Sequence, residues 1–185
     1  MSRLKSILAS AAASAALVAV VGTTAASHDD DHGGRRSHRL KADLKGFGEV
    51  PAVSTGARGS FRAVLSEDES EITYRLDYAG LQGEVRQAHI HVGDHHTMGG
   101  ISMWLCGTAT LPGPAGTPTC GAPGGDGPEA EGTLVAANVV GPTGQLIAPG
   151  ELAELVRAIK AGVTYANVHT TAVPSGEIRG QIKMD

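Results

Sequence analysis

From Leu40 onwards, the chain is a succession of short runs in which apolar and polar residues alternate. The runs occupy residues 40–44, 61–65, 72–78, 84–92, 101–106, 132–140, 165–170 and 177–183. Because successive side chains of a strand point to opposite faces, each run predicts a strand with one buried face. Turns rich in Gly, Pro, Asp and Ser separate the runs. The pattern therefore predicts an all-β fold, an antiparallel sandwich or barrel.

One segment, near residues 150–161, has helical periodicity. Its apolar residues recur at i, i+3, i+4 and i+7: Leu152, Leu155, Val156 and Ile159. Pro149 suits the first position of a helix, and Gly162 suits its end. The sequence predicts one helix of about three turns beside the sheet.

The N-terminal residues 1–26 have the features of a secretory signal peptide. Arg3 and Lys5 precede an uncharged apolar run, and small residues near Ala26 suit cleavage. The run is short for the alternative, a membrane anchor, and no later segment is apolar enough to cross a bilayer. We expect a flexible, His- and Asp-rich leader at residues 27–39, a single domain at 40–185, and a secreted or periplasmic location.

Charge narrows the range of partners. The formal net charge is −4, and loss of the signal peptide, which has two basic and no acidic residues, makes it −6. An acidic chain without a basic cluster argues against nucleic acid as a partner. The pattern leaves an unidentified protein or small ligand as the expected partner.

The chain contains two cysteines, Cys106 and Cys120. In an exported protein an even number favours a disulfide. The bridge would close a loop of about 15 residues and contribute about 3 kcal/mol in the chain-entropy model. The alternative, a metal or redox site with two thiols, lacks the C-x-x-C spacing.

Four segments resemble the CHRD domain family, named after chordin. Phe47–Val53 resembles the family's G-x-x-E-V-P-P-V opening, and Ala88–Gly93 resembles its A-H-I-H-x-G centre. Ala161–Thr170 resembles the A-G-x-x-Y-V-N-V-H-T stretch, and Pro174–Gly180 resembles the P-x-G-E-I-R-G ending. The segments occur in the family's order.

The resemblance has two small departures, Ala52 in place of a second proline and Ser175 in place of a common glycine. It implies a secreted all-β domain, which is repeated in chordin-like extracellular antagonists of growth factors and occurs singly in many bacterial proteins. The signal peptide and single domain are similar to those of the bacterial members. For those members the family implies no settled activity, so growth-factor binding is not carried over.

Three histidines are the candidate metal ligands. His89 and His91 lie on one side of the strand-like run Gln87–Gly93, and His169 lies in a second predicted strand. Three imidazoles suit copper or zinc and leave a position open for water or a small molecule. The H-x-H strand and late histidine are similar to part of the copper site of superoxide dismutases. We therefore expect a superoxide-dismutase-like or immunoglobulin-like fold, with redox activity supported by analogy alone.

The alternative role of these histidines is structural. A buried pair can hydrogen-bond to Asn167, Glu177 or backbone carbonyls and fix the register of the strands. Glu177 and Arg179 share a strand face and are expected to form an ion pair in that network.

Two further segments carry polar groups of the metal-binding type. Asp94, His95 and His96 follow the H-x-H strand and offer extra ligands, although a solvated loop is the simpler interpretation. The acidic loop near Glu129 suits weak calcium binding or a plain surface loop.

No nucleophile, phosphate-binding or zinc-protease motif is present. The function expected from the sequence is a non-enzymatic extracellular binding or structural module. The alternative is a copper or zinc protein that uses His89, His91 and His169, with dismutase-like redox activity as its further form.

Overall fold

The computed structural model describes residues 38–124 and 127–185. Its strands are β1 (Arg39–Lys45), β2 (Arg58–Leu65), β3 (Glu71–Ala79), β4 (Val85–Val92), β5 (Gly100–Cys106), β6 (Ala130–Val135), β7 (Thr164–Thr170), β8 (Ile178–Gln181) and β9 (Lys183–Met184). One helix, α1 (Leu152–Lys160), lies between β6 and β7. The predicted signal peptide and residues 27–37 of the predicted leader lie outside the described residues.

The strands form one antiparallel sheet in the order β5-β4-β7-β8-β1-β2-β3-β6, with β9 beside β1. The edge strands β5 and β6 approach each other, so the sheet is nearly closed into a barrel. Tyr74 of β3, the neighbour of edge strand β6, donates a hydrogen bond to the carbonyl oxygen of Leu105 in the other edge strand, β5. The prediction of an all-β antiparallel fold is confirmed.

The barrel interior is filled by the apolar residues of the alternating strands. In β1 and β3 every second residue is buried and the residues between are mostly exposed. The apolar face of α1 packs into the same core. Burial of each large side chain contributes roughly 1.5–3 kcal/mol, so this interior holds the barrel together. None of the helices within the described ranges combines the length and hydropathy needed to cross a bilayer.

Element boundaries differ from the sequence prediction in two places. β6 ends at Val135 instead of Val140, because Asn138 accepts a hydrogen bond from the backbone N–H of Val135 and a 3-10 turn follows. The helix begins at Leu152, so Pro149 precedes it, whereas Gly162 ends it with a φ of +72°.

Cys106 and Cys120 form the predicted disulfide. The bridge joins the end of β5 to the far end of the segment 107–119. A hydrogen bond from the N–H of Cys120 to the carbonyl of Gly107 lies beside it. The disulfide therefore holds this glycine- and proline-rich segment against β5.

Candidate functional site

The adjacent strands β4, β7 and β8 have an apolar and a polar face. The apolar face belongs to the core: Ala88, Ile90, Val92, Ala166, Val168 and Ile178. The polar face carries His89, His91, Tyr165, Asn167, His169 and Arg179. Strand pairing sets His89 opposite Asn167 and His91 opposite Tyr165. The alternation read from the sequence therefore gathers the three predicted histidines on one patch, outside the barrel interior.

Loops cover this polar face and remove it from solvent. His89 is 0% exposed, and His91 and His169 are each 7% exposed. The carbonyl oxygens of Gly99 and Pro174, from two different loops, contact His91 and His169. A Cβ at Gly99 would lie 1.5 Å from the carbonyl oxygen of Val92, so only glycine allows this loop to pack so closely.

The covering carbonyl oxygens determine which ring nitrogen carries the hydrogen in two of the imidazoles. Nδ1 of His91 lies 3.0 Å from the oxygen of Gly99, and Nδ1 of His169 lies 3.0 Å from that of Pro174. Because a carbonyl oxygen only accepts, each Nδ1 carries the hydrogen and each Nε2 keeps its lone pair. Nε2 of His91 is buried without a hydrogen-bond partner among the described residues. A histidine anchored through Nδ1 in this way is oriented to bind a metal through Nε2.

Two polar contacts meet at Nε2 of His169, and of these only Nδ1–H of His89 can donate a hydrogen bond to its lone pair. Nδ1 of His89 lies 3.2 Å from this nitrogen, and Oδ1 of Asn167 lies 3.1 Å from it. One ring nitrogen of each histidine lies within 4.8 Å of one from each of the other two. Two nitrogens on one tetrahedral ion, bonded at about 2.05 Å, are about 3.4 Å apart. The His89 and His169 nitrogens are close to that separation at 3.2 Å, and a nitrogen of His91 lies within 4.8 Å of one from each of the other two rings.

The imidazoles are held neutral by burial. Burial, reinforced by the neighbouring histidines, lowers the pKa of His89 to about 2. Burial also lowers the pKa of His91 to about 4, although the hydrogen bond to Gly99 opposes the shift. The pKa of His169 is lowered for the same reason. A metal ion therefore does not have to displace a proton from these imidazoles at neutral pH.

Arg179 clamps a covering loop instead of pairing with Glu177. Its guanidinium donates hydrogen bonds to the carbonyl oxygens of Asp94 and Thr97, at 2.7 and 2.8 Å. Its Cζ lies 3.4 Å from the centre of the Tyr165 ring, whose other neighbour is the stacked ring of His91. At 2% exposure, Arg179 is committed to this stack and to the loop.

Glu177 belongs to a separate polar cluster. Its carboxylate accepts hydrogen bonds from the hydroxyls of Thr55 and Thr170 and from the backbone N–H of Gln82. Glu177 is fully buried. It joins three loops beside the histidine cluster, and it acts on His169 only through the neighbouring residue Thr170.

Glu49 is a site residue that the sequence analysis did not single out. Burial raises the pKa of its carboxyl to about 7, while the charge of Arg179 and a hydrogen bond with Asn167 oppose the shift. Its Oε1 has no hydrogen-bond partner among the described residues. Because the Asn167 amide interacts with both Glu49 and His169, it links this carboxyl to the histidine cluster. The only sequence signal for it was its place in the segment Phe47–Val53.

Trp104 was also missed as a site residue. Its ring packs edge-on against His89, with centroids 4.4 Å apart. Gly113 also packs closely on the indole, because a Cβ there would come within 2.7 Å of it. The disulfide-closed segment 107–119 therefore reaches the histidine cluster through Trp104.

The comparison with protein families concerns the domain as a whole. The CHRD domain family model matches residues 40–182. The chain belongs to the CHRD domain family. No curated protein and no solved structure matches it at a significant level. The four segments that resemble the CHRD pattern meet at the polar face, where they supply Glu49, the H-x-H pair, His169 and Arg179.

The two remaining candidate segments lie apart from the cluster. His95 and His96 are exposed, and they do not join the three buried histidines in the described part of the chain. Glu129 is buried and accepts hydrogen bonds from the N–H groups of Tyr78 and Gly124, which is a structural role.

Proposed function

We propose that this CHRD domain is an extracytoplasmic metal-binding module in which His89, His91 and His169 hold one copper or zinc ion. The observation that supports this best is the gathering of three buried, neutral imidazoles, with one ring nitrogen of each within 4.8 Å of one from each of the other two. Nε2 of His91 makes no hydrogen bond within residues 38–124 and 127–185, and Oδ1 of Asn167 faces Nε2 of His169 at 3.1 Å. Because neither of these last two atoms carries a hydrogen, a cation between them removes their repulsion.

Copper is the better occupant of the two. Three imidazoles without thiolate or carboxylate bind both metals, and Cu²⁺ stands above Zn²⁺ in the stability order of divalent ions for nitrogen ligands. The nitrogen separations suit either ion. The chemistry of the ligands therefore favours copper when both metals are present at equal concentration.

The low solvent exposure of the three histidines supports a role in metal binding without catalysis. The histidines are covered on the solvent side, and both terminal nitrogens of Arg179 donate to backbone carbonyls. A redox enzyme of the dismutase type needs substrate to reach the ion. The disulfide is compatible with an oxidising compartment, which supports the extracytoplasmic location.

The second candidate role is a structural hydrogen-bond network. The contact between Asn167 and His169 favours this role if the Asn167 amide has the opposite orientation. Half a turn of the amide would bring Nδ2 to His169 and convert the repulsion into a hydrogen bond. A protonated Glu49 would then donate to Oδ1. In that form the cluster fixes the loops and binds no ion.

Metal analysis of untagged protein, isolated after growth with added copper and zinc, tests the proposal. The wild type should contain about one ion per chain, and His91→Gln should contain none. Glutamine keeps a donor for the carbonyl of Gly99, so the variant retains that anchor while losing the ligand nitrogen. His38→Ala, at a histidine outside the cluster, is the matched control and should bind as the wild type does.

A stability measurement separates the two roles. If the cluster is structural only, the wild type stays metal-free after loading, and His91→Ala lowers the free energy of unfolding by about 1–3 kcal/mol through the orphaned carbonyl. That result would replace the metal proposal with the structural one.

A further inference from the structure

The loop that joins β4 to β5 carries three exposed metal-ligand side chains that the buried cluster does not use. His95 and His96 are exposed, with ring centroids 6.2 Å apart. Met98 is 72% exposed, although its thioether side chain is apolar enough to be buried. Imidazole and thioether together are a ligand set for Cu(I), which accepts two or three soft, neutral ligands.

The backbone of this loop is fixed before any ion binds. Oδ1 of Asp94 accepts a hydrogen bond from the N–H of His95 at 2.6 Å, and the carbonyl of Asp94 accepts one from the N–H of Thr97 at 3.0 Å. Arg179 holds the carbonyls of Asp94 and Thr97 from beneath. Because the side chains stand on an ordered turn, binding an ion does not require the backbone of this loop to lose further entropy.

The loop also ends at Gly99, whose carbonyl oxygen orients His91 of the buried cluster. Its last residue, Gly99, accepts the hydrogen of His91 through its carbonyl and donates its N–H to the hydroxyl of Tyr165. The exposed side chains therefore precede, by one to four residues, the group that orients a buried ligand. An ion held at the loop sits on the segment that separates the cluster from solvent.

We propose that His95, His96 and Met98 form a second, exposed site that binds Cu(I) and passes it to the buried histidine cluster. The transfer rests on the proposed function, whereas the exposed site does not. The transferred ion stays Cu(I) throughout, because imidazole ligands hold copper in either oxidation state, and neutral ligands replace neutral ligands. The exposed site binds more weakly than the cluster, because solvent competes with its ligands there.

Anaerobic titration against a chromophoric Cu(I) chelator, with ascorbate as reductant, tests the exposed site. The wild type should bind two ions of different affinity. The triple variant His95→Ala, His96→Ala, Met98→Leu should lose the weaker ion, and His91→Gln should lose the tighter one. Met98→Leu alone isolates the contribution of sulfur at nearly constant volume. A triple variant that still binds two ions would overturn the exposed site.

The rate of loading tests the transfer. Trp104, the only tryptophan, contacts His89, so quenching of its fluorescence reports an ion in the buried cluster. After mixing with chelator-bound Cu(I), the triple variant should reach the same final quenching about tenfold more slowly. Equal rates would overturn the transfer while leaving the exposed site standing. A wild type that binds one ion, lost in the triple variant but kept in His91→Gln, would mean that the buried-cluster proposal has failed and the exposed site has not.

Discussion

At the scale of single residues, the buried carboxyl of Glu49 opposes the stability of the fold near neutral pH. Its pKa is raised from 4.5 to about 7 because burial disfavours the charged form. Between those values the folded protein binds more protons than the unfolded chain. Stability from this group is therefore present at low pH and is lost as pH rises through about 7.

Replacing Glu49 with glutamine should remove this loss, because the amide has nearly the same shape and no charge. We expect metal-free Glu49→Gln to match the wild type near pH 4.5 and to exceed its free energy of unfolding by about 3 kcal/mol above pH 7. Urea unfolding at pH 5 and pH 8 measures the difference, with the exposed Glu84→Gln as control. A glutamine variant less stable than the wild type at pH 8 would mean that attraction to Arg179 outweighs the burial cost.

Some residues of the site are predictable from the sequence and others are not. His89 and His91 are predictable as a pair because the pleat of one strand puts both on one face. Glu49 is not predictable as a site residue, because its burial depends on the close approach of Gly176. A Cβ at Gly176 would lie 2.5 Å from Oε1 of Glu49. Packing of that kind depends on the tertiary structure and leaves no periodic trace in the sequence.

At the scale of elements, the sequence predicts the strands and the helix but not the loops that cover the histidines. β4, β7 and α1 follow their hydrophobic periods, which burial enforces. β6 was predicted five residues too long, because Val139 and Val140 favour a strand while the Asn138 side chain ends it locally. The anchors of the histidines are carbonyls of Gly99 and Pro174, and every residue type offers a carbonyl, so spacing could not identify them.

The disulfide-closed segment 107–119 should control the environment of Trp104. Without the bridge, the segment gains chain entropy, and its close packing on the indole through Gly113 is loosened. We expect the double variant Cys106→Ser, Cys120→Ser to lose about 3 kcal/mol of stability. Its Trp104 emission should shift to longer wavelength under conditions where the protein is still folded. A reducing agent should reproduce both effects in the wild type and neither in the variant; unchanged emission would contradict the contact.

At the scale of the whole molecule, the barrel combines an apolar interior with a covered polar face on its outside. The interior supplies stability that does not depend on pH, whereas the polar face holds three imidazoles neutral. Their folded pKa values are lowered from 6.5, to about 2 for His89 and about 4 for His91. The unfolded chain therefore binds more protons than the folded one below pH 6.5, so the stability that the neutral histidines confer falls as the medium is acidified.

The metal-free protein should consequently unfold in mild acid. Each buried histidine removes about 1.4 kcal/mol per pH unit below 6.5, so His89 and His91 together remove several kcal/mol by pH 4. The opposing gain from Glu49 is smaller, because one carboxyl acts against at least two imidazoles. Since small domains have only about 5–15 kcal/mol in total, we expect a cooperative loss of Trp104 signal between pH 6 and 4.

Metal should shift this acid transition, which ties the stability of the barrel to the site on its surface. An ion that binds only the folded state adds about 2.7 kcal/mol at a concentration one hundred times its Kd, and it keeps protons off the ring nitrogens. The transition of the loaded wild type should therefore lie at lower pH than that of the metal-free form. His91→Gln should show no such shift on adding metal, and the control His38→Ala should shift as the wild type does. A metal-free protein with flat stability down to pH 3 would show that the histidines are not held neutral in the fold.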